Sequence, residues 1–279
     1  MSIIDFRLRP PVGEFLQTRI YAAPDNRDRY TRSLGFDPAP SVQQQSMDLL
    51  FKEMDSAGIT TGVVVARATH NLGTIRNQEV ADIVARYKDR FVGVGAANPS
   101  SWRKAIADID EAMALGLKLV NLEPGVSQPP LHTDDRMMYP IYAHCEEKKI
   151  PLVIMCGGGA GPTIDYTAPH RIDRVLNDFP DLTVVASHGG WPWVQEVLHV
   201  AFRRPNLYIC PDMYMHGLPG MNDYILAANS FLSERFLFGT AYPFCPHEQY
   251  TEWFRSLPIK AEAMDNILHR NAQLLLTLR

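Results

Sequence analysis

The sequence has no surplus of positive charge, no long apolar run and few cysteines, and each shortage removes a class of protein. Its 27 Lys and Arg face 31 Asp and Glu for a net charge of −4, whereas nucleic-acid binding rests on a clustered excess of basic residues that neutralise phosphates. No segment reaches the roughly 18 uncharged apolar residues that a membrane span requires. The opening Met1-Ser2-Ile3-Ile4-Asp5-Phe6-Arg7 has a charge at its fifth residue and no basic stretch leading into an apolar run, so it does not read as a signal peptide. Cys145, Cys156, Cys210 and Cys245 form no CxxC pair, which argues against a zinc knuckle and a disulfide framework. A cytoplasmic protein acting on small molecules is the expectation these absences leave.

A glycine-rich turn after the first apolar segment is also missing. An open doubly wound sheet that binds dinucleotides needs one, and this chain runs instead into Arg7-Leu8-Arg9-Pro10-Pro11. What is present is strand–helix alternation, the pattern of a parallel sheet. Eight runs rich in Val, Ile, Leu or Phe read as strands: Ile3–Arg7, Gly62–Arg67, Phe91–Ala97, Leu117–Glu123, Leu152–Cys156, Thr183–His188, Leu207–Asp212 and Phe236–Thr240. Helical apolar spacing fills the stretches between them, among them Val42–Ala57, Gln78–Lys88, Trp102–Leu115, Tyr139–Lys149, Ile172–Phe179 and Val194–Phe202. Gly58 and Gly116 stand where helices should stop, and Pro180 and Pro205 lie just beyond two others. Eight strands in 279 residues match a closed (β/α)8 TIM barrel of about 250 residues, so residues 1–279 are expected to form one domain. The long first connection, Arg19 to Pro40, is an insertion over the barrel mouth. It is either a lid or, alternatively, a subunit contact or plain surface loop.

In such barrels chemistry sits at the carboxyl ends of the strands. That rule selects Asp5, Arg7, Arg67, Asn98, Glu123, Met155, Cys156, Ser187, His188, Asp212, Tyr214, Ala241 and Tyr242. Polar groups there need partners or solvent, because burying them unpaired costs several kcal/mol, and a shared polar cavity supplies both.

Four of these segments, Ile4-Asp5-Phe6-Arg7, Pro151-Leu152-Val153-Ile154-Met155-Cys156-Gly157, Leu182-Thr183-Val184-Val185-Ala186-Ser187-His188-Gly189-Gly190 and Leu237-Phe238-Gly239-Thr240-Ala241-Tyr242-Pro243, resemble the signature strands of the amidohydrolase-related family. That family includes the aminocarboxymuconate-semialdehyde decarboxylases and metal-dependent hydrolases. The closing His269-Arg270-Asn271-Ala272-Gln273-Leu274-Leu275 is similar to its terminal helix. The resemblance covers nearly the whole chain and implies an amidohydrolase-type barrel, a hydrolase or lyase activity and a homodimer. It also implies a metal site that this chain has largely lost. The family's His-x-His falls on Asp5-Phe6-Arg7, its fifth-strand histidine on Met155 and its eighth-strand aspartate on Ala241, so only His188 remains. A zinc ion that activates water needs about three good ligands and an open position, which leads to the expectation of no metal cofactor. The alternative is a rebuilt site for one divalent metal, zinc or manganese, from Asp5, Glu123, His188 and Asp212.

Without a metal, His188 is suited to proton transfer near neutral pH, and Asp5, Glu123 and Asp212 are candidate catalytic carboxylates beside it. Arg7 and Arg67 are expected to clamp a carboxylate through paired hydrogen bonds, unless the nearby acids neutralise them. Trp191, Tyr214 and Tyr242 are expected to line an aromatic wall for the substrate. Cys156 beside Gly157-Gly158-Gly159 suggests either a nucleophile near backbone donors or a packed thiol, and the glycines themselves an anion cradle. The expected function is therefore a decarboxylase, hydratase or lactonase type of enzyme for a small carboxylated substrate. A barrel that binds a small molecule without turnover is the competing reading.

Overall fold

The computed structural model describes residues 2–68 and 72–277; Met1 and the last two residues of the expected 1–279 domain lie outside the described residues. Seven parallel strands, β1 (Ile3–Leu8), β2 (Ile59–Val65), β3 (Phe91–Ala96), β4 (Val120–Leu122), β5 (Leu152–Met155), β6 (Val184–Ser187) and β7 (Leu207–Cys210), pair in chain order. The helices are α1 (Arg19–Ala22), α2 (Pro24–Ser33), α3 (Pro40–Gln43), α4 (Met47–Ala57), α5 (Asn77–Arg86), α6 (Trp102–Ala114) and α7 (Tyr139–Glu147). They continue with α8 (Pro169–Asp178), α9 (Val194–Arg203), α10 (Met221–Ala228), α11 (His247–Ser256), α12 (Ala261–Asp265) and α13 (Asn271–Thr277). This is the TIM-barrel arrangement of the amidohydrolases.

The eighth expected strand, Phe236–Thr240, is not a regular one. Its backbone reaches both neighbours through separate contacts: Leu237 N–H donates to Ile209 O at 2.9 Å on one side, and on the other Phe6 N–H donates to Phe238 O at 2.9 Å and Arg9 N–H to Tyr242 O at 3.2 Å. Between those last two contacts the Thr240 amide turns to the Asp5 carboxylate, 2.9 Å from Oδ1. A side chain has taken the hydrogen bond that a ladder would have used. The segment still fills the eighth place of the barrel.

Alternation along the strands sorts the core into two layers. Val63, Val94, Leu119, Val153 and Val185 pack together with Ile4 and Phe6, closed off by Leu275 and Leu276 of α13. Ile3, Leu8, Val64, Leu152 and Ile154 belong to the larger layer shared with the helices. In β1 the alternation breaks, because Asp5 pairs with Gly62 but Leu8 with Val64, one residue too many on β1. Such a bulge re-aims the side chains that follow it. Asp5 stays on the side of Ile3 and Leu8, while Arg7 and Arg9 turn into the mouth.

One expected helix is two. Val42–Ala57 breaks at the polar Gln43-Gln44-Gln45-Ser46, where Gln45 takes φ 49° and Ser46 caps α4 by accepting from Leu49 N–H. Gly58 ends α4 at φ 75°, as its position suggested.

Candidate active site

A cavity of about 350 Å³ occupies the mouth. Its floor is built from strand ends, with Arg7, Arg9, Arg67, Met155, His188 and Tyr214, and its upper wall comes from the insertion, with Arg19, Ile20, Asn26, Arg27, Arg29 and Tyr30. The insertion, α1 and α2 included, therefore covers the mouth as the lid reading expected.

The backbone turns left-handed where the chain leaves β6 and β7: His188 has φ 68° and Asp212 φ 47°. This region is uncommon for any residue but glycine and costs of order 1–3 kcal/mol where the surroundings enforce it. The two turns bring both side chains together. His188 Nδ1 lies 2.9 Å from Asp212 Oδ2, and Arg7 Nε lies 3.4 Å from the same oxygen. On the far side of the imidazole, Arg7 Nη2 is 3.5 Å from His188 Nε2. A guanidinium has no acceptor, so Nε2 faces it with its lone pair and the ring proton sits on Nδ1, toward the carboxylate. Burial lowers the His188 pKa, Asp212 opposes that shift and Arg7 reinforces it, and the balance falls below the ordinary value. The imidazole is held neutral at pH 7.

Arg67 grips Glu123 with both arms, Nε to Oε2 at 3.0 Å and Nη2 to Oε1 at 3.1 Å. Burial would raise the Glu123 carboxyl, but Arg67 and then Arg7 outweigh it and hold it below its ordinary value. Arg9, two residues past Arg7, donates to the carbonyls of Ala241 (3.2 Å) and Tyr242 (3.3 Å) and has no carboxylate partner among the described residues. Burial first, and then the positive neighbours Arg7 and Arg67, lower its pKa to about 9. This corner is short of negative charge.

The expected residues separate accordingly. Arg7, Arg67, His188 and Tyr214 line the cavity, Asp212 supports the imidazole from behind, and Glu123 lies in a narrow extension of the cavity beside Arg67. Asp5, Trp191 and Tyr242 are not among the lining residues. Asp5 is fully buried and accepts from Arg7 N–H, Thr240 N–H and Thr240 Oγ1–H, with His247 Nε2 at 3.2 Å. The β1 bulge places it behind the strand. Tyr242, expected as aromatic wall, is a core residue that stacks on His247 at 4.6 Å and pairs its hydroxyl with Ser41 at 2.7 Å. Trp191 stacks behind Tyr214 at 5.5 Å, and Tyr214 meets the His188 ring edge-on at 5.0 Å.

Sequence reasoning missed Arg9, His247 and the insertion's arginines. For Arg9 a signal was present: Arg7-Leu8-Arg9 is a period-two pattern continuing past the strand end. His247 had none, because its partner Asp5 lies 242 residues away. Cys156 does not line the cavity, and burial pushes its thiol up to about 12, so it stays protonated and inert. Nor are the glycines an anion cradle: the Gly157 and Gly158 N–H groups donate to Thr167 O and Trp191 O.

A divalent ion does not fit the donors as they stand. Of the alternative set, Asp5 faces away, Glu123 is held by Arg67, and His188 and Asp212 share the Arg7 guanidinium. Among the described residues no group of three or more His, Cys, Asp or Glu side chains is arranged to hold a metal ion, and no helix is long and apolar enough to cross a membrane.

Residues 4–278 match a family model described as amidohydrolase. No curated protein matches the sequence. Among solved structures, an uncharacterized TIM-barrel protein from Bordetella bronchiseptica is 58% identical over 99% of this chain and 98% of its own, with a TM-score of 0.97. A 2,6-dihydroxybenzoate decarboxylase from Rhizobium is similar in fold, 18% identical over 100% of this chain and 99% of its own, with a TM-score of 0.73. A dihydroxybenzoic acid decarboxylase from Polaromonas, solved with bound manganese and the inhibitor 2-nitroresorcinol, is 17% identical over 99% of this chain and 97% of its own, with a TM-score of 0.72.

Proposed function

Since the chain belongs to the amidohydrolase family, we propose that it is a hydrolase or lyase for a small carboxylated substrate, with His188 as its proton-transfer group and no zinc centre. The reading takes residues 1–279 as one catalytic domain, which the family match over 4–278 supports. The observation that carries it is the neutral His188 imidazole between Asp212 and Arg7, on the floor of a cavity lined by arginines.

The chemistry follows from the hydrogen-bond inventory. A substrate carboxylate is an acceptor only, and its natural partners are the fork-shaped guanidiniums of Arg7, Arg9 and Arg67. When it draws the Arg7 arm toward itself, Nε2 of His188 loses the donor that occupied its lone pair and becomes free to take a proton. Asp212, behind Nδ1, stabilises the imidazolium that results. General base catalysis of this kind contributes typically 10²–10⁴-fold. Returning the proton to a carbon centre gives a decarboxylation, and drawing it from water gives a hydration or lactone opening. The decarboxylases of similar fold act on carboxylated aromatics by their names, and the arginine-lined floor suits the same class of substrate. The manganese of the Polaromonas protein has no fitting donor set here, so no step is routed through a metal.

The test is turnover of a panel of aromatic carboxylates and lactone acids by chelator-treated protein, with metal content measured alongside. Turnover that survives chelation and falls at least about a hundredfold in His188→Asn supports the reading. Activity that tracks stoichiometric bound metal would overturn it. Ligand-induced stabilisation across the panel without any turnover would favour the binding-protein reading.

A further inference from the structure

We infer that the substrate carries two separated anionic groups, the second of them recognised by the arginines of the insertion; this rests on the carboxylated-substrate reading above. Six arginines line the cavity, and no aspartate or glutamate does. Three of the six have their own carboxylate: Arg7 with Asp212, Arg67 with Glu123, and Arg27 with Asp28 at 2.7 Å. The other three, Arg9, Arg19 and Arg29, form no ion pair among the described residues.

These three lie on two levels. Arg9 is on the floor, at the end of β1, fixed by two carbonyls and crowded by Arg7 and Arg67. Arg19 and Arg29 are in the upper wall, on α1 and α2, both exposed, and Arg29 is steadied by Asn26 Oδ1 at 3.2 Å and by the Tyr30 ring. A single carboxylate reaches one level. It would neutralise the floor and leave the upper cations facing the ligand uncompensated. A dicarboxylate with its groups at opposite ends meets both, its apolar middle lying along Ile20, Val126, Met213 and Phe244. Arg27 is buried against Ile20 O and Asp28, so it braces the insertion rather than reaching for ligand. The exposed pair is therefore the recognition element, and solvent screening limits each member to a modest contribution.

The experiment is calorimetric titration of the full chain with benzoate, benzene-1,3-dicarboxylate and phenyl phosphate at low ionic strength. The dicarboxylate is expected to bind at least about tenfold more tightly than benzoate, which is about 1.4 kcal/mol. In the R19Q/R29Q variant, whose two changes are exposed and leave the core untouched, that preference is expected to shrink to about twofold or less. In the unaltered protein the dicarboxylate's affinity should also fall more steeply with salt than that of benzoate, a check that needs no variant. Equal affinities for benzoate and dicarboxylate, or a preference that persists in the double variant, would overturn the inference while leaving the carboxylate reading standing. Phenyl phosphate binding as tightly as the dicarboxylate would replace two separated groups by one doubly charged group and overturn it too. If no carboxylate binds at all, the underlying reading fails along with it.

Discussion

His188 is pulled in two directions, by burial and Arg7 toward neutrality and by Asp212 toward charge, and the pH dependence of activity reports the outcome. Because the neutral form is the proton acceptor, kcat/KM should rise with pH and level off, its acid limb centred below the ordinary histidine value of 6.5. Asp212→Asn removes the group that raises the pKa, so the limb should move to lower pH while the plateau drops by about 10²–10⁴-fold, measured as kcat/KM between pH 4.5 and 9. Stability follows the same sign. A depressed His188 pKa means the unfolded chain binds the proton more readily, so this contribution is complete above about 6.5 and is lost as pH falls through the folded value. The lowered Glu123 pKa acts similarly from about 4.5 downward. Melting temperature should therefore decline in two stages on acidification. Arg67→Lys should lower stability by about 2–3 kcal/mol in denaturant titration, because an ammonium cannot reproduce the two-armed grip on buried Glu123. Arg7, Arg67, His188 and Asp212 were legible as site residues because each ends a strand that could be read. Asp5 and Tyr242 were misplaced because the face they occupy depends on one extra residue in β1 and on a turn, and composition reveals neither.

At the level of elements, the left-handed turns after β6 and β7 have a third counterpart at Ala241, φ 52°, in the eighth segment. His188 and Asp212 carry chemistry that offsets the strain, whereas Ala241 presents only a methyl group. Ala241→Gly should accordingly raise stability by about 0.5–1 kcal/mol, as relief of left-handed strain exceeds the entropy that glycine adds to the unfolded chain. Chemical denaturation measures it, and kcat should be unchanged. Seven of the eight strands were readable from apolar runs bounded by breakers. The eighth, Phe236–Thr240, has the same composition but gives up its ladder at Thr240 to a carboxylate 235 residues earlier, a competition that no local window contains. The break between α3 and α4 was missed for a different reason: glutamines are good helix formers, and Ser46 ends the run by capping the helix after it.

Over the whole molecule, the join between the first strand and the last segment rests on Asp5, which receives Thr240 from the eighth segment and His247 from α11. Asp5→Ala should lower stability by about 3–5 kcal/mol, because three donors lose a buried carboxylate. A correspondingly lower melting temperature, with residual kcat in the folded fraction, would separate this joining role from a catalytic one. The barrel order itself was legible, since alternation of strand and helix along the chain is the same thing as neighbourhood around the barrel. The seam was not, because its two sides sit at opposite ends of the sequence. That seam also has a history in time. Asp5 is among the first residues to leave the ribosome, and Thr240 and His247 are among the last. Through most of synthesis the carboxylate that will clasp the finished ring waits in water with nothing to hold, and a chain released short of α11 would carry a ring with its clasp undone.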